Sequence, residues 1–367
     1  MVSQLAQMFE EVQKDSDVIH LEIGDLDFSV SFAIDQALRQ AIDEGKTHYT
    51  SIAGTSELRR LAAQDFQQDG IKTANPENTI IGAGAKPLIS LAIRALLADK
   101  TKNEFIILDP SYPTYKRAVL NYGGIYRAID TLARGFYYPF FGEIDKAVFS
   151  NTKCVIVNYP NNPTGIVCSL EQLARLPEDV WILFDEAYCR LVYNSTVYLS
   201  AAALPQIAKR AIVIRSCSKT YAMSGLRIGY LTAPQEITDK IIDLLSDEFG
   251  CPSSISQEAA VAALSNGRIT EGLGRLNARK NYLCNWLDNH AISYPKPQGA
   301  FYVFADFSSW RMTSEEIAEK LLLEAKVAVT PGTAFGDYDG WIRLSYASVG
   351  LNQLEKALNR IEKVLFK

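Results

Sequence analysis

The sequence has no long uncharged apolar run, no C-x-x-C pair and no excess of positive charge. Its most apolar stretch, Pro87 to Ala98, is interrupted by Arg94 and falls far short of the roughly 20 residues a membrane-spanning helix needs. No membrane segment is expected. Lysine and arginine total 37 against 42 aspartates and glutamates, a net charge of −5. A chain with that balance offers no global field for nucleic acid or an anionic membrane, so small molecules are the expected partners. The six cysteines, Cys154, Cys168, Cys189, Cys217, Cys251 and Cys284, are scattered singly along 367 residues. A chain this long needs no disulfide staples, and the cysteines read as reduced, in a cytoplasm. The N-terminus lacks a basic region followed by an apolar run and a small-residue cleavage site. Val2, Leu5, Met8, Phe9 and Val12 recur there at helical spacing and predict a short amphipathic helix. There is no internal repeat and no low-complexity segment, which sets aside solenoids and linkers.

What is present is an ordinary globular composition, 48% hydrophobic and 22% charged, long enough for two or three domains. Short runs rich in Val, Ile and aromatics recur at Thr79–Ile81, Glu104–Leu108, Lys153–Asn158, Val180–Asp185, Ala211–Ser216 and Arg227–Leu231. Several are apolar on successive residues, as expected of strands buried on both faces. Helical patterns such as Lys86–Asp99 and Leu170–Leu176 lie between them. The alternation predicts an α/β fold with a mostly parallel central sheet flanked by helices, whose ligand site lies at the strand ends. From about Arg275 the pattern changes to a helix at Leu276–Asn289, a strand at Ala300–Asp306, a helix around Ser314–Glu324, strands at Val327–Val329 and Trp341–Ser345, and a terminal helix from Asn352. That mixture predicts a smaller α+β domain.

Four stretches carry chemistry. In Ser216-Cys217-Ser218-Lys219 through Arg227-Ile228-Gly229, hydroxyls, a lysine and an arginine follow an apolar strand. Partial desolvation and a neighbouring cation would lower the Lys219 pKa and expose an amine nucleophile, while Ser216, Ser218 and Arg227 suit a phosphate. Seen alone, Lys219 reads more readily as a surface lysine with its stem buried. In Val180-Trp181-Ile182-Leu183-Phe184-Asp185-Glu186-Ala187-Tyr188, the Asp185 carboxylate ends a strand and needs a cationic or hydrogen-bonding partner. A protonated pyridine nitrogen and a metal ion both qualify, although no P-loop occurs to make the site a nucleotide one. Asn158-Tyr159-Pro160-Asn161-Asn162-Pro163-Thr164-Gly165 also follows a strand and, by itself, is turn chemistry. Ile81-Gly82-Ala83-Gly84-Ala85-Lys86-Pro87 is a small-residue turn into a helix, with the N–H groups of Ala85 and Lys86 free for an anion.

In this order and spacing the four resemble the fold-type I pyridoxal phosphate enzymes, specifically the class I/II aminotransferases, from about Leu21 to the C-terminus. The resemblance implies pyridoxal 5′-phosphate as cofactor and a ping-pong transfer of an amino group from an L-amino acid to a 2-oxo acid. It implies that Lys219 links covalently to the cofactor and then shuttles the Cα proton. Asp185 would pair with the pyridine nitrogen, and Tyr188 and Asn162 would hydrogen-bond the ring oxygen. Gly84, Ala85, Lys86, Ser216, Ser218 and Arg227 match the family's phosphate cup. Tyr112 holds the position of the aromatic stacked on the ring, and Tyr49 matches a tyrosine that reaches the neighbouring subunit's phosphate. Active sites shared across a homodimer are therefore expected. Arg343, flanked by apolar residues, matches the clamp for the substrate α-carboxylate, with Asn162 assisting, and an internal salt bridge is its alternative. Gly24 matches a loop closing over the substrate, with Leu26 where proline is usual. No metal is implied.

The implied domains are a large cofactor domain over residues 36–275 and a small domain combining 1–35 with 276–367. Asp247 and Glu248 fall where the family lends residues to the partner's substrate pocket; two acids there would disfavour a dicarboxylic substrate over a neutral or basic one, the alternative being that both are simply solvated. A non-transaminating relative using the same cofactor, such as a lyase, cyclase or oxidase, is the alternative activity. A DNA-binding regulator of this fold would need a basic N-terminal module, and only 48 residues, without a basic cluster, precede Tyr49.

Overall fold

The computed structural model describes residues 15–132, 144, 146–193, 198–266 and 270–366. The helix expected around Val2–Val12 lies outside them. Strands β2 (Thr79–Gly82), β3 (Glu104–Asp109), β4 (Ile125–Asp130), β5 (Thr152–Asn158), β6 (Trp181–Asp185), β7 (Ala211–Ser216) and β8 (Gly229–Thr232) form one seven-stranded sheet in the order β2-β8-β7-β6-β5-β3-β4. Only β8 runs antiparallel to its neighbours. All residues of β3, β5 and β7 are buried, because the sheet is covered on both faces. Val213 joins a core with Phe66, Val155 and Phe184 on one side, while Ile212 and Ile214 join Leu91, Ile156 and Leu183 on the other. The apolar runs in the sequence are therefore the signature of a two-sided sheet.

Two strand expectations are corrected. Arg227 and Ile228 are not in β8, because Arg227 adopts a left-handed backbone (φ 56°) that ends a short turn at Ser224–Leu226. β4, absent from the sequence reading, is the sheet edge; its exposed and polar pattern hides it from an apolar-run criterion.

The second body is built from β9 (Tyr302–Asp306), β11 (Thr330–Pro331) and β12 (Trp341–Ser345), an antiparallel sheet in the order β11-β12-β9. The N-terminal strand β1 (Ile19–His20) pairs in parallel with β10 (Val327–Ala328). The Ser345 N–H donates to the Leu21 carbonyl, 2.7 Å, and Asp27 N–H to Ala347 O, 3.0 Å, so the first described segment is woven into the C-terminal lobe. The helix Leu351–Leu365 buries Leu354, Ala357, Leu358, Ile361 and Leu365, the one-face spacing of an amphipathic helix, against this lobe. No helix among the described residues is long and apolar enough to cross a membrane.

Candidate active site

The β-strand ends and the two lobes enclose a cavity of about 330 Å³ whose lining includes 12 of the 14 residues singled out in the sequence; Gly84 and Tyr49 are the two outside it. Its poles differ in charge, and each polarity has a local cause.

One pole is a ring of donors. The helix Ala85–Leu97 starts at Gly84, whose φ of 101° suits only glycine, and the first N–H groups of Ala85 and Lys86 lack intrahelical partners. β7 ends at Ser216, whose Oγ accepts from Ser218 N at 3.2 Å and opens the one-turn helix Cys217–Thr220. Arg227 is held by the Ser224 carbonyl (2.7 Å) and the Ala83 carbonyl (3.3 Å). A Cβ on Gly229 would stand 2.6 Å from Ala85 N and 2.7 Å from the Gly84 carbonyl carbon. Glycine at that place lets β8 approach the helix start and keeps the cradle tight.

The opposite pole is acidic. Asp185 is buried at the end of β6, accepting from Tyr115 OH at 2.6 Å and Ala187 N–H at 3.1 Å. Burial pushes its carboxyl above the ordinary range, with those hydrogen bonds opposing. No cation pairs with it among the described residues, nor does any group of His, Cys, Asp or Glu there suit a metal ion. What the carboxylate needs is a cation brought by a ligand. Behind it, Glu186 pairs with buried Arg215 at 2.9 Å, and Arg215 with Asp65 at 2.6 Å. This network ties the ends of β6 and β7 to the helix Ser56–Gln68.

Lys219 lines the same cavity. Its Nζ donates to the Gly24 carbonyl at 2.6 Å and stands 5.9 Å from the Phe301 ring centre. Burial lowers its pKa; Asp25 opposes, and Arg227 and Arg343 lower it further. The snorkelling reading of this lysine is thereby set aside.

Arg343, on β12, is buried. It donates to Asn162 Oδ1 (3.1 Å), the Glu22 carbonyl (2.6 Å) and Thr330 Oγ1 (3.1 Å), and its carbon centre lies 4.4 Å from the Tyr302 ring and 4.9 Å from Phe335. Its Nε is buried without a partner, and no carboxylate pairs with it among the described residues. The salt-bridge alternative has no acid to supply it, so a buried guanidinium is left to receive an anion. Asn162 Nδ2 donates to Tyr188 OH at 3.4 Å, and Tyr188 OH meets Tyr302 OH at 3.1 Å. Tyr112 packs edge-on against Tyr115, ring centres 5.7 Å apart.

Tyr49 is 96% exposed and contributes nothing to this chain's cavity. Glu248 pairs with Arg94 on a neighbouring helix. Three functional positions escaped the sequence reading: Tyr115, Asn158 and Tyr302. Asn158 opens the stretch Asn158–Gly165, Tyr115 follows Tyr112 by three residues, and Tyr302 falls within the expected strand Ala300–Asp306. Their signal was a polar tip at a strand end, or one turn into a helix, beside residues already chosen.

Pyridoxal phosphate fits this donor set. The N–H groups of Ala85 and Lys86 with Ser216, Ser218 and Arg227 suit a phosphate, and unpaired Asp185 suits a protonated ring nitrogen. Lys219 lines the same cavity and offers the amine.

The family described as aminotransferase class I and II matches residues 16–361. Aromatic-amino-acid aminotransferase 2 of Thermococcus litoralis is 33% identical over 374 residues, covering 99% of this chain and 95% of the relative. Aspartate aminotransferase of Pyrococcus abyssi has the same identity and coverage. The structure of aspartate aminotransferase from Thermus thermophilus with maleate superposes with a TM-score of 0.91 at 32% identity, over 98% of this chain and 95% of that one.

Proposed function

The chain belongs to the class I and II aminotransferases, and from that premise we propose roles for its residues, a substrate preference and an assembly. It is a pyridoxal-phosphate-dependent aminotransferase of fold type I acting on amino acids and 2-oxo acids. When bound, the cofactor supplies an aldehyde for amines and a ring that withdraws electrons from the adjacent carbon.

In our reading Gly84, Ala85, Lys86, Ser216, Ser218 and Arg227 bind the phosphate, and Asp185 keeps the ring nitrogen protonated. Tyr188 and Asn162 donate to the ring oxygen, and Tyr112 lends its face to the ring. Arg343 orients the substrate α-carboxylate with Asn162, and Gly24, lacking a side chain, leaves room beside Tyr302. Lys219 holds the cofactor and moves the proton at the substrate Cα; its lowered pKa raises the fraction of free amine available as base. The observation that carries this reading is one cavity lined by a desolvated lysine, an anion cradle and a buried carboxylate with no cation beside it among the described residues.

The cations lining the cavity are Lys86, Lys219, Arg227 and Arg343. Lys219, Arg227 and Arg343 are engaged by cofactor or α-carboxylate, which leaves the Lys86 ammonium as the one lining cation, among the described residues, for a second substrate carboxylate. With at most that one cation to spare, a neutral or basic L-amino acid is preferred to a dicarboxylic one. A donor panel tests this: arginine, ornithine or alanine-like donors should be turned over at least as fast as aspartate and glutamate, and the reverse by tenfold would overturn it.

Exposed Tyr49, with exposed Phe32, Ile42 and Phe249, supports a homodimer in which Tyr49 reaches the partner's phosphate site. The pairing of β1 with β10 supports a small domain of residues 1–35 and 276–367 beside a large one over 36–275. All six cysteines are free thiols, in keeping with a reducing cytoplasm.

A further inference from the structure

Tyr302 is 2% exposed, and among the described residues its hydroxyl has one hydrogen-bond partner, Tyr188 OH at 3.1 Å. Tyr188 OH also accepts from Asn162 Nδ2. Two phenols share one contact, so one proton is spent within the pair and one is left over. If Tyr188 donated, its proton would be spent on Tyr302, and the Tyr302 proton would have no protein acceptor among the described residues. If Tyr302 donates, Tyr188 oxygen accepts from Tyr302 and Asn162, and its own proton is free for a ligand in the cavity. The Arg343 guanidinium, 4.4 Å from the Tyr302 ring, favours the second arrangement, since a nearby cation makes that phenol the stronger donor.

We propose that Tyr302 is a positioning residue: it donates to Tyr188 and thereby commits the Tyr188 proton to the ring oxygen of bound pyridoxal phosphate. The inference rests on the assignment of Tyr188 to that oxygen. Donation into the Tyr188 oxygen also strengthens Tyr188 as a donor. Its consequence is electrostatic. A firmer hydrogen bond to the ring oxygen favours the anionic form of that oxygen and lowers the pH at which the lysine-linked cofactor loses its proton. The charged or titratable groups facing this pair are Arg343 from β12, Asp185 from β6, Asp25 and Tyr112 from the flanking loops, and Lys219.

The test is a pH titration of the visible absorption of the holoenzyme for wild type, Tyr302→Phe, Tyr188→Phe and the double variant. Tyr302→Phe should raise the midpoint by about half a pH unit. Tyr188→Phe should raise it further, and adding Tyr302→Phe to it should change nothing more, because Tyr302 acts only through Tyr188. Phenylalanine keeps the ring against Arg343, so binding of a simple carboxylate to the variant should match wild type. An unchanged midpoint in Tyr302→Phe, or additive shifts in the double variant, overturns the proposal while leaving the cofactor assignment intact. A wild-type protein that takes up no cofactor overturns both.

Discussion

Replacing Asp185 by asparagine should move cofactor affinity and cofactor-free stability in opposite directions. The carboxylate is buried, and burial holds its pKa above the ordinary 3.8. A raised carboxyl pKa means that the folded chain holds its proton more tightly than the unfolded one. The associated stability is present below the ordinary value and is lost as pH rises through the raised value. At any pH above that raised value the ionised group is thus a liability in the cofactor-free protein. Asparagine removes that cost, and Tyr115 can turn its hydroxyl to accept from the new amide. Stability toward urea at pH 7 should equal or exceed wild type, and its decline above pH 4 should flatten.

With cofactor present the sign reverses. Removing one partner of a buried charge pair costs roughly 3–5 kcal/mol, or two to three and a half orders of magnitude in affinity. Asparagine can still hydrogen-bond a neutral ring nitrogen, so the low end, about a hundredfold, is expected. Absorbance titration of cofactor into the stripped protein measures this. Affinity within threefold of wild type, or a cofactor-free variant less stable by more than about 1 kcal/mol, would refute the view that Asp185 waits for a cation.

Gly229→Ala should weaken cofactor binding more than it weakens the fold, since its Cβ would meet the Ala85 nitrogen at 2.6 Å and push the phosphate cradle apart. Overpacking of this kind costs about 1–3 kcal/mol, read as a ten- to hundredfold rise in the cofactor dissociation constant, with retained affinity as the contrary result. Arg343→Lys should raise KM for amino donors about tenfold or more at a smaller change in kcat. One ammonium cannot reproduce the guanidinium's fork toward a carboxylate, and a pure kcat effect would count against the clamp.

Much of this site could be read in the sequence because its residues sit where the chain leaves a buried strand. Asp185, Asn162, Ser216 and the Gly84 turn each lie at or just after the end of an apolar run, and parallel sheets gather such ends at one edge. What could not be read depends on long-range approach. Tyr302 reaches Tyr188 across 114 residues and Arg343 reaches Asn162 across 181, and no local pattern marks those pairings. β8 was misplaced at its start because a left-handed Arg227 has no signature in a run of apolar neighbours. β4 went unseen because an edge strand need not be apolar. Tyr49, exposed and outside the cavity, has no contact within one chain, among the described residues, that bears on its expected role, and the acids Asp247 and Glu248 are less informative because Glu248 pairs with Arg94.

The central claim is that Lys219 holds the cofactor and yields it to an amino donor. Borohydride reduction of the holoenzyme followed by peptide mass analysis tests it most directly. The account predicts the cofactor's mass fixed on the peptide carrying Lys219, its loss when an amino donor is added before reduction together with release of about one equivalent of 2-oxo acid, and no fixation in Lys219→Ala. Fixation at another lysine, or undiminished fixation in Lys219→Ala, would contradict it.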